Sequence, residues 1–409
     1  MKRFLAFLLC AFLVANALAS GNNATVNQNG VNNSGTVTQN GTNTTTVNQT
    51  GDNGQATVTQ TGSNLATVDQ VESATSTPVG TQIATVKQTG AGNKADVDQT
   101  ETGGGGHTTN KAYVEQVGNN NEVTQYTYAP GSNSGQSVWA YQGGNANVVF
   151  QTINAGYTNS FKTTQIGNEN LAQQTMAANN SHGIIYTEGN QNSAKQTLTG
   201  SNHGYSGGIK IDQYQDNNTA EQTFSGGALG HVQKGYIRQD GDWNKATQTS
   251  AGLDNNAETR QTGDLNEAYM TLTGNDLLAK IVQTGNGNKA TTSQTGNNNS
   301  ALVTQNNDAN LFELIQSGNL SGVTATQDGD GNVAKLTQSN GAAATVVQKG
   351  DGNLLKGLAL DPVAQSLKGS SLTLSQVGNS NTLNLFQDNG ATATVTQTGN
   401  NNVATVEQR

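Results

Sequence analysis

The amide side chains in this sequence, which can form specific hydrogen bonds, are numerous and recur at a fixed spacing. Residues 283–305 read QTGNGNKATTSQTGNNNSALVTQ, in which Gln283, Gln294 and Gln305 are separated by steps of 11. An amide facing a dry core is costly unless it is hydrogen-bonded. If the amide recurs on a neighbouring strand, each one can donate to one neighbour and accept from the other, as in cross-β stacks. The spacing therefore predicts ladders of stacked amides.

Each repeating unit combines a strand with a turn. Asn299, Ala301, Val303 and Gln305 are two residues apart, so their side chains share one face of an extended segment. Gly296 is followed by three asparagines, and both residue types tolerate the positive φ of a tight turn. Recurrence of such a unit at a fixed period is the signature of a solenoid. The predicted fold is an all-β, two-sheet β-solenoid of stacked strand-turn-strand units that becomes cross-β on assembly.

Residues that usually carry catalysis or metal binding are scattered. The four histidines do not fall at metal-ligand spacings: His107, His182, His203 and His231. Residues 328–332, DGDGN, resemble the start of a calcium loop, but Val333 stands where glycine is needed. No Ser/His/Asp arrangement or phosphate loop is present in the pattern. We therefore predict that the chain is not an enzyme and that it binds no cofactor and no metal.

The N-terminal residues predict export. Two basic residues precede an apolar run at 4–14, and Ala17 and Ala19 form an A-x-A cleavage site, so residues 1–19 are predicted to be a signal peptide. The run is too short to span a membrane. Cys10, the only cysteine, lies inside it, so no disulfide is expected after cleavage. The formal net charge of −9 argues against binding to nucleic acid or to anionic lipid, and we expect no membrane insertion.

After the signal peptide, the spacing of the glutamines divides the chain into three blocks. Regular steps of 10 or 11 residues run through 20–100 and again through 269–409. In the block between them, 101–268, compact units advance by nine and the inward set is predicted to shorten to triplets such as Asn244, Ala246 and Gln248. We interpret this block, which holds nine of the ten tyrosines and both tryptophans, as the same stack with wider turns.

Two further features bear on the stack. The three prolines lie where the spacing breaks, as expected if the regular stretches are strands: Pro78, Pro130 and Pro362. No capping unit is visible between Asn22 and Gln408, and an uncapped solenoid end exposes unpaired backbone. The pattern therefore predicts head-to-tail association of copies into filaments.

The unit Q-x-G-x-x-N-x-A-x-x-x-Q resembles the curlin repeat of curli-type bacterial amyloid subunits. Full matches occur at residues 88–99, 283–294, 294–305, 327–338 and 397–408. The residues predicted to form the structural ladder and to drive self-assembly are those of the matching pattern: Gln88, Asn93, Ala95, Gln99, Gln283, Gly285, Asn288, Ala290, Gln294, Gly296, Asn299, Ala301, Gln305, Gln327, Asn332, Gln338, Gln397, Asn402 and Gln408.

The resemblance implies a subunit that is secreted largely unfolded, folds into a β-solenoid and polymerises into extracellular amyloid fibres on the cell surface. Such fibres serve in biofilm matrix and adhesion. The implied partners are further copies of the chain, a homologous nucleator and an outer-membrane secretion pore. Terminal strands that match the pattern favour the major fibre subunit, and the nucleator or minor subunit is the alternative.

Two other classes of protein stay open. An ice-binding or other ligand-binding solenoid would display T-x-T pairs on successive turns of one sheet. Such pairs occur at Thr36/Thr38, Thr57/Thr59 and Thr394/Thr396, but equivalent outward pairs read Thr67/Asp69, Thr85/Lys87 and Asp96/Asp98. A non-polymerising adhesin would instead display the aromatic-rich middle block.

Overall fold

A computed structural model describes residues 21–73, 80–102, 109–129, 135–154, 158–201, 209–226, 232–358 and 361–409, which form 32 strands and no helix. The chain divides into two compact units, residues 1–186 and 187–409. Several sequence predictions fall on residues outside the described ranges: the signal peptide at 1–19, Pro78, Pro130, His107, His203 and His231.

The first unit is built from parallel strands. They are β1 (Asn23–Asn29), β2 (Ser34–Gly41), β3 (Thr44–Thr50), β4 (Gly54–Glu72), β5 (Thr81–Glu101), β6 (Thr109–Val117), β7 (Glu122–Ala129), β8 (Gln136–Gly143), β9 (Val148–Asn154), β10 (Asn159–Ile166), β11 (Leu171–Asn179) and β12 (His182–Glu188). Successive strands run along opposite legs of a coil, so that β1 pairs with β3, β6 with β8 and β7 with β9. The long strands β4 and β5 each bend through a turn and supply both legs.

The second unit repeats this arrangement. Its strands are β13 (Ser193–Ser201), β14 (Ile209–Tyr214), β15 (Thr219–Gly226), β16 (Lys234–Asp240), β17 (Lys245–Gly252), β18 (Asn256–Thr262), β19 (Glu267–Asn275), β20 (Leu278–Thr284), β21 (Lys289–Asn297), β22 (Ser300–Asn306), β23 (Leu311–Ser317), β24 (Gly322–Asp328), β25 (Val333–Ser339), β26 (Ala343–Lys349), β27 (Leu354–Lys356), β28 (Ala364–Ser366), β29 (Ser371–Val377), β30 (Thr382–Gln387), β31 (Thr392–Thr398) and β32 (Val403–Gln408). From β13 to β26, each strand pairs in parallel with the strand two places along the chain. The predicted all-β solenoid is therefore confirmed in each unit.

The core lies between the two legs of each turn because alternate residues point there. In β22 the buried residues are Ala301, Val303 and Gln305, and the residues between them are more exposed. Gln305 Nε2 donates across the core to the carbonyl oxygen of Lys289 on the facing leg, at 3.1 Å. The described proline, Pro362, lies between the short strands β27 and β28, where the spacing breaks.

The prediction that the inward set shortens in the middle block is wrong. Gln248 pairs in register with Met270, and Ser250, two residues later, pairs with Leu272 and is also buried. The inward set therefore keeps four members, with Gln248 in the third position where the regular strands have valine or leucine. The spacing of nine arises because this glutamine lies two residues earlier on its strand. The turns do widen in part, since 26 residues separate the stacked Gln213 and Gln239, against 22 in the regular block.

Candidate functional site

The inward glutamines of one leg form a continuous row of side-chain hydrogen bonds in the second unit. Gln283 Nε2 donates to Gln305 Oε1 at 2.9 Å, and Gln305 Nε2 donates to Gln327 Oε1 at 2.8 Å. All of these side chains are buried. The full row, with N–O distances of 2.8–2.9 Å, comprises Gln213, Gln239, Gln261, Gln283, Gln305, Gln327, Gln348, Gln376 and Gln397.

The glutamine row of the facing leg is shorter. Gln294 donates to Gln316 at 2.7 Å, and Gln316 donates to Gln338 at 3.0 Å. Leu272 lies below Gln294 in this row and Ser366 lies above Gln338. Gln294 Oε1 and Gln338 Nε2, both buried, consequently have no hydrogen-bond partner. A ladder thus stops wherever one turn lacks its glutamine, and Gln387 and Gln408 form a separate pair beyond the break.

In the first unit, the predicted glutamines lie on opposite legs of β5. Gln88 accepts from Gln60 at 2.7 Å and donates to Gln116 at 2.8 Å. Gln99 accepts from Gln70 at 2.8 Å but pairs in register with Thr127 on the next turn. Its Nε2 instead donates to the backbone across the core. Gln88 therefore lies inside a ladder, whereas Gln99 ends one.

The ladders have a direction. In every glutamine–glutamine bond described above, Nε2 belongs to the residue nearer the N-terminus and Oε1 to the residue nearer the C-terminus. The buried asparagines run the other way. Asn310 N–H donates to Asn288 Oδ1 at 3.0 Å, and Asn332 N–H donates to Asn310 Oδ1 at 2.9 Å. Each turn thus offers donors and acceptors of fixed polarity to its neighbours.

The asparagine side chains also close the turns. Asn310 Nδ2 donates to the carbonyl oxygens of Asn306 and Gly329, both at 2.8 Å, and to Asn288 Oδ1 at 3.2 Å. The other predicted asparagines take part in the same kind of backbone-to-side-chain bond between turns: Asn93, Asn288, Asn299, Asn332 and Asn402.

The predicted glycines and alanines allow the turns to stack closely. Gly296 has φ +112°, and a Cβ there would lie 2.0 Å from the carbonyl oxygen of Gly318 on the next turn. Gly285, with φ +108°, is similarly close to Asn307. The predicted alanines are all buried beside the amides: Ala95, Ala290 and Ala301.

A buried pair of carboxyl groups was missed from the sequence. Glu72 and Glu101 pair in register on adjacent turns and are 7% and 3% exposed. Burial raises the pKa of each to about 7, and for Glu72 the neighbouring Glu101 and Asp52 carboxylates add to the rise. Asn110 Nδ2 donates to Glu101 Oε2 at 3.0 Å. The signal was available, since each glutamate follows a buried glutamine (Gln70 or Gln99) by two residues.

Outward threonines also align more regularly than predicted. In the first unit, Thr85 and Lys87 interrupt the T-x-T pairs, as expected. In the second unit the T-x-T pairs are interrupted as well, for example by Val347 and Ser375, but single threonines pair in register along two rows of four turns. The rows are Thr197, Thr223, Thr249 and Thr271, and Thr324, Thr345, Thr373 and Thr394.

Other chemistry has little support in the described residues. No group of three or more His, Cys, Asp or Glu side chains there is placed to hold a metal ion. In the stretch that resembles a calcium loop, Asp330 Oδ1 accepts a backbone N–H from Asp308 on the preceding turn, at 3.0 Å. The same described residues contain no helix with the length and apolar character needed to cross a bilayer.

The fold and the ladders together define a parallel β-solenoid whose turns are joined by buried amides. The family model of the curlin associated repeat matches this chain at residues 252–285 and 274–306. The chain therefore contains curlin associated repeats within residues 252–306. None of the curated proteins matches it.

Proposed function

We propose that this chain is a secreted structural subunit whose copies stack head to tail into extracellular amyloid fibres of the curli type, serving biofilm matrix and surface adhesion. In the proposed subunit, the two legs of every turn belong to two facing sheets. The proposed partners are other copies of the chain, a homologous nucleator and an outer-membrane secretion pore. No enzymatic role, nucleic-acid binding or membrane insertion belongs to the proposal.

The observation that carries this proposal is the common direction of the glutamine ladders. A second copy added in the same orientation would meet Nε2 donors with Oε1 acceptors and would extend the ladders that reach the last turn, those of Gln397 and Gln408. A copy added in the opposite orientation would place donor against donor or acceptor against acceptor, leaving buried amides unsatisfied at about 1–3 kcal/mol each. The ladder chemistry therefore favours open, head-to-tail growth, which produces filaments and not closed rings.

Timed thioflavin fluorescence with electron microscopy tests the proposal. Freshly desalted chain 20–409 is followed with and without sheared seeds of its own fibres. We expect a lag that seeds abolish, together with unbranched fibres. A chain that remains a stable β-rich monomer would refute the proposal. A nucleator, the alternative within the same class, would accelerate another curlin-repeat subunit at substoichiometric amounts while forming few fibres itself.

The threonine rows favour one second candidate, a solenoid that binds an ordered surface such as ice. Four in-register hydroxyls would repeat at the strand spacing of about 4.8 Å. Ice-crystal shape and growth in the presence of the chain test this candidate. Growth unchanged from that in a buffer containing an equal mass of an unrelated protein would eliminate it.

A further inference from the structure

The charged residues of the first unit are sorted between the two outer sides of the coil. Lys87 and Asp96 both belong to β5, but they lie on either side of its bend at Gly90–Gly92. Gln99 Nε2 donates across the core to the carbonyl oxygen of Ile83, so the two legs face each other with their inward residues. Their exposed residues consequently point to opposite sides.

One side carries three lysines and three aromatic residues, which we call the lysine face: Lys87, Lys111, Lys162, Tyr113, Trp139 and Tyr141. Tyr113 and Trp139 pair in register and stack with ring centroids 5.8 Å apart. Lys87 Nζ lies 5.6 Å from the Tyr113 centroid, and Lys162 Nζ lies 4.9 Å from that of Trp139. Cation–π contact holds these ammonium groups in place while leaving them in reach of solvent.

The other side carries carboxylates, which we call the aspartate face: Asp69, Asp96 and Asp98. Asp69 and Asp98 pair in register on adjacent turns. The pKa of Asp96 is raised by partial burial and then by the nearby Asp69 carboxylate, so these groups repel one another. Both faces carry minor opposite charge, Glu115 on the lysine face and Lys94 on the aspartate face.

In the part of the chain that the structure describes, these charges lack an oppositely charged partner at ion-pair distance. Within the described ranges, no ion pair involves the lysines of the lysine face or the carboxylates of the aspartate face. In the first unit, the in-register neighbours Lys87 and Glu115, and Lys94 and Glu122, form no ion pair among the described residues. In the second unit, such neighbours on one side do form ion pairs. Examples are Lys195 with Glu221 and Lys289 with Glu267, each pair at 2.9 Å. The sorting in the first unit is thus not a general consequence of the solenoid.

We propose that the lysine face of one copy docks against the aspartate face of a second copy, so that neighbouring fibres associate side by side. This inference rests on the proposed function, since it concerns fibres already formed by end-to-end stacking. The two faces differ, so the contact is heterologous and does not close, and successive fibres add to a growing bundle. Charge complementarity of this kind determines which surfaces meet and makes the contact sensitive to salt.

Charge reversal on each face tests the contact. The variants are Lys87→Glu with Lys162→Glu, which makes both faces acidic, and Asp96→Lys with Asp98→Lys, which makes both basic. Fibre width is measured by electron microscopy and bundling by low-speed pelleting, while thioflavin kinetics report end-to-end growth separately. Each reversal alone is expected to reduce the pelleted fraction at least several-fold with growth kinetics retained. Mixing preformed fibres of the two variants is expected to restore bundles.

Controls separate charge from other effects. Lys87→Arg with Lys162→Arg keeps the charge and should bundle as the unmodified chain does. If a reversed chain fails to polymerise, the neutral pair Lys87→Gln with Lys162→Gln decides in its place. Raising NaCl to about 1 M, where screening acts over about 3 Å, should separate bundles without dissolving fibres.

The outcomes that overturn the inference differ from those that overturn the proposed function. Fibres that grow normally but bundle equally in all variants, or variant mixtures that stay apart, would eliminate the docking of these two faces while leaving the subunit role intact. A reversal of the lysine face that abolishes bundling, with no effect from the aspartate face, would point to a different acidic partner and equally overturn it. Absence of any fibres would refute both.

Discussion

Replacing Gln305 by leucine tests the ladder in its longest continuous row. The change keeps the side-chain volume roughly constant but removes three hydrogen bonds: from Gln283, to Gln327 and to the carbonyl oxygen of Lys289. Each contributes about 0.5–1.5 kcal/mol net, and the Gln327 oxygen is left buried without its donor. Burial of leucine offsets about 1–2 kcal/mol. We expect a local destabilisation of about 2–4 kcal/mol.

Hydrogen–deuterium exchange with mass spectrometry measures this local destabilisation in the strands around residue 305. At about 1.4 kcal/mol per factor of ten, backbone amides of residues 278–306 should exchange roughly 30- to 1000-fold faster in the variant. The matched control is Thr304→Leu, an outward substitution on the same strand, which should change exchange about twofold or less. If Gln305→Leu exchanges as slowly as Thr304→Leu, the stacked amides contribute no net stability and the ladder reasoning fails.

Three further changes probe other parts of the turn. In urea unfolding, Gly296→Ala should lower the free energy of unfolding by more than about 2 kcal/mol, because the new Cβ meets a carbonyl oxygen. The control Gly287→Ala, which has open space around it, should cost about 1 kcal/mol. Equal costs would contradict the close stacking of the turns. Asn310→Ala removes four hydrogen bonds and should cost about 2–4 kcal/mol. Asn310→Asp should cost at least as much, because a buried carboxylate oxygen would face the carbonyl oxygens of Asn306 and Gly329. The folded pKa of Glu72 and Glu101, about 7, exceeds the ordinary value of 4.5, so the native state binds more protons between pH 4.5 and 7 and its stability should fall as pH rises through this range. Glu72→Gln should flatten this pH dependence of the free energy of unfolding in urea. An unchanged profile would count against the buried pair.

Much of the regular fold could be predicted from the sequence because two periods coincide there. A side-chain period of two places Asn299, Ala301, Val303 and Gln305 on one face, and all four are buried. A turn period of 21 or 22 places identical residues above one another, as Gln283 and Gln305 are. The sequence pattern therefore predicts both the face of the strand on which each of these residues lies and the residue of the next turn that stacks on it.

The same reasoning failed in the middle block because the distance between successive glutamines mixes two quantities. It depends on the length of the connecting turn and on which inward position the glutamine occupies. Gln239 and Gln248 are nine residues apart, but Gln239 and Ser250 are 11 apart and occupy equivalent inward positions. A spacing measured between glutamines alone cannot separate these contributions. The pattern does not predict the buried Glu72 for a related reason, since the repeat unit ends at its glutamine and Glu72 lies two residues beyond Gln70.

This fold favours neighbouring turns that carry glutamine at the same inward position, and it does not require that every turn match one consensus repeat. Gln222 and Gln248 stack on each other although both lie in the third inward position, and Gln283 and Gln305 stack in the fourth. Where the position changes, a buried glutamine atom loses its partner, as Gln294 Oε1 does above Leu272. Each such change costs about one unsatisfied buried group, on the order of 1–3 kcal/mol, which a stack with many satisfied turns can tolerate once or twice. These energies favour runs of turns that carry glutamine at the same inward position, separated by a few boundaries where that position changes. Such a boundary inside a fibre should be a point of local opening.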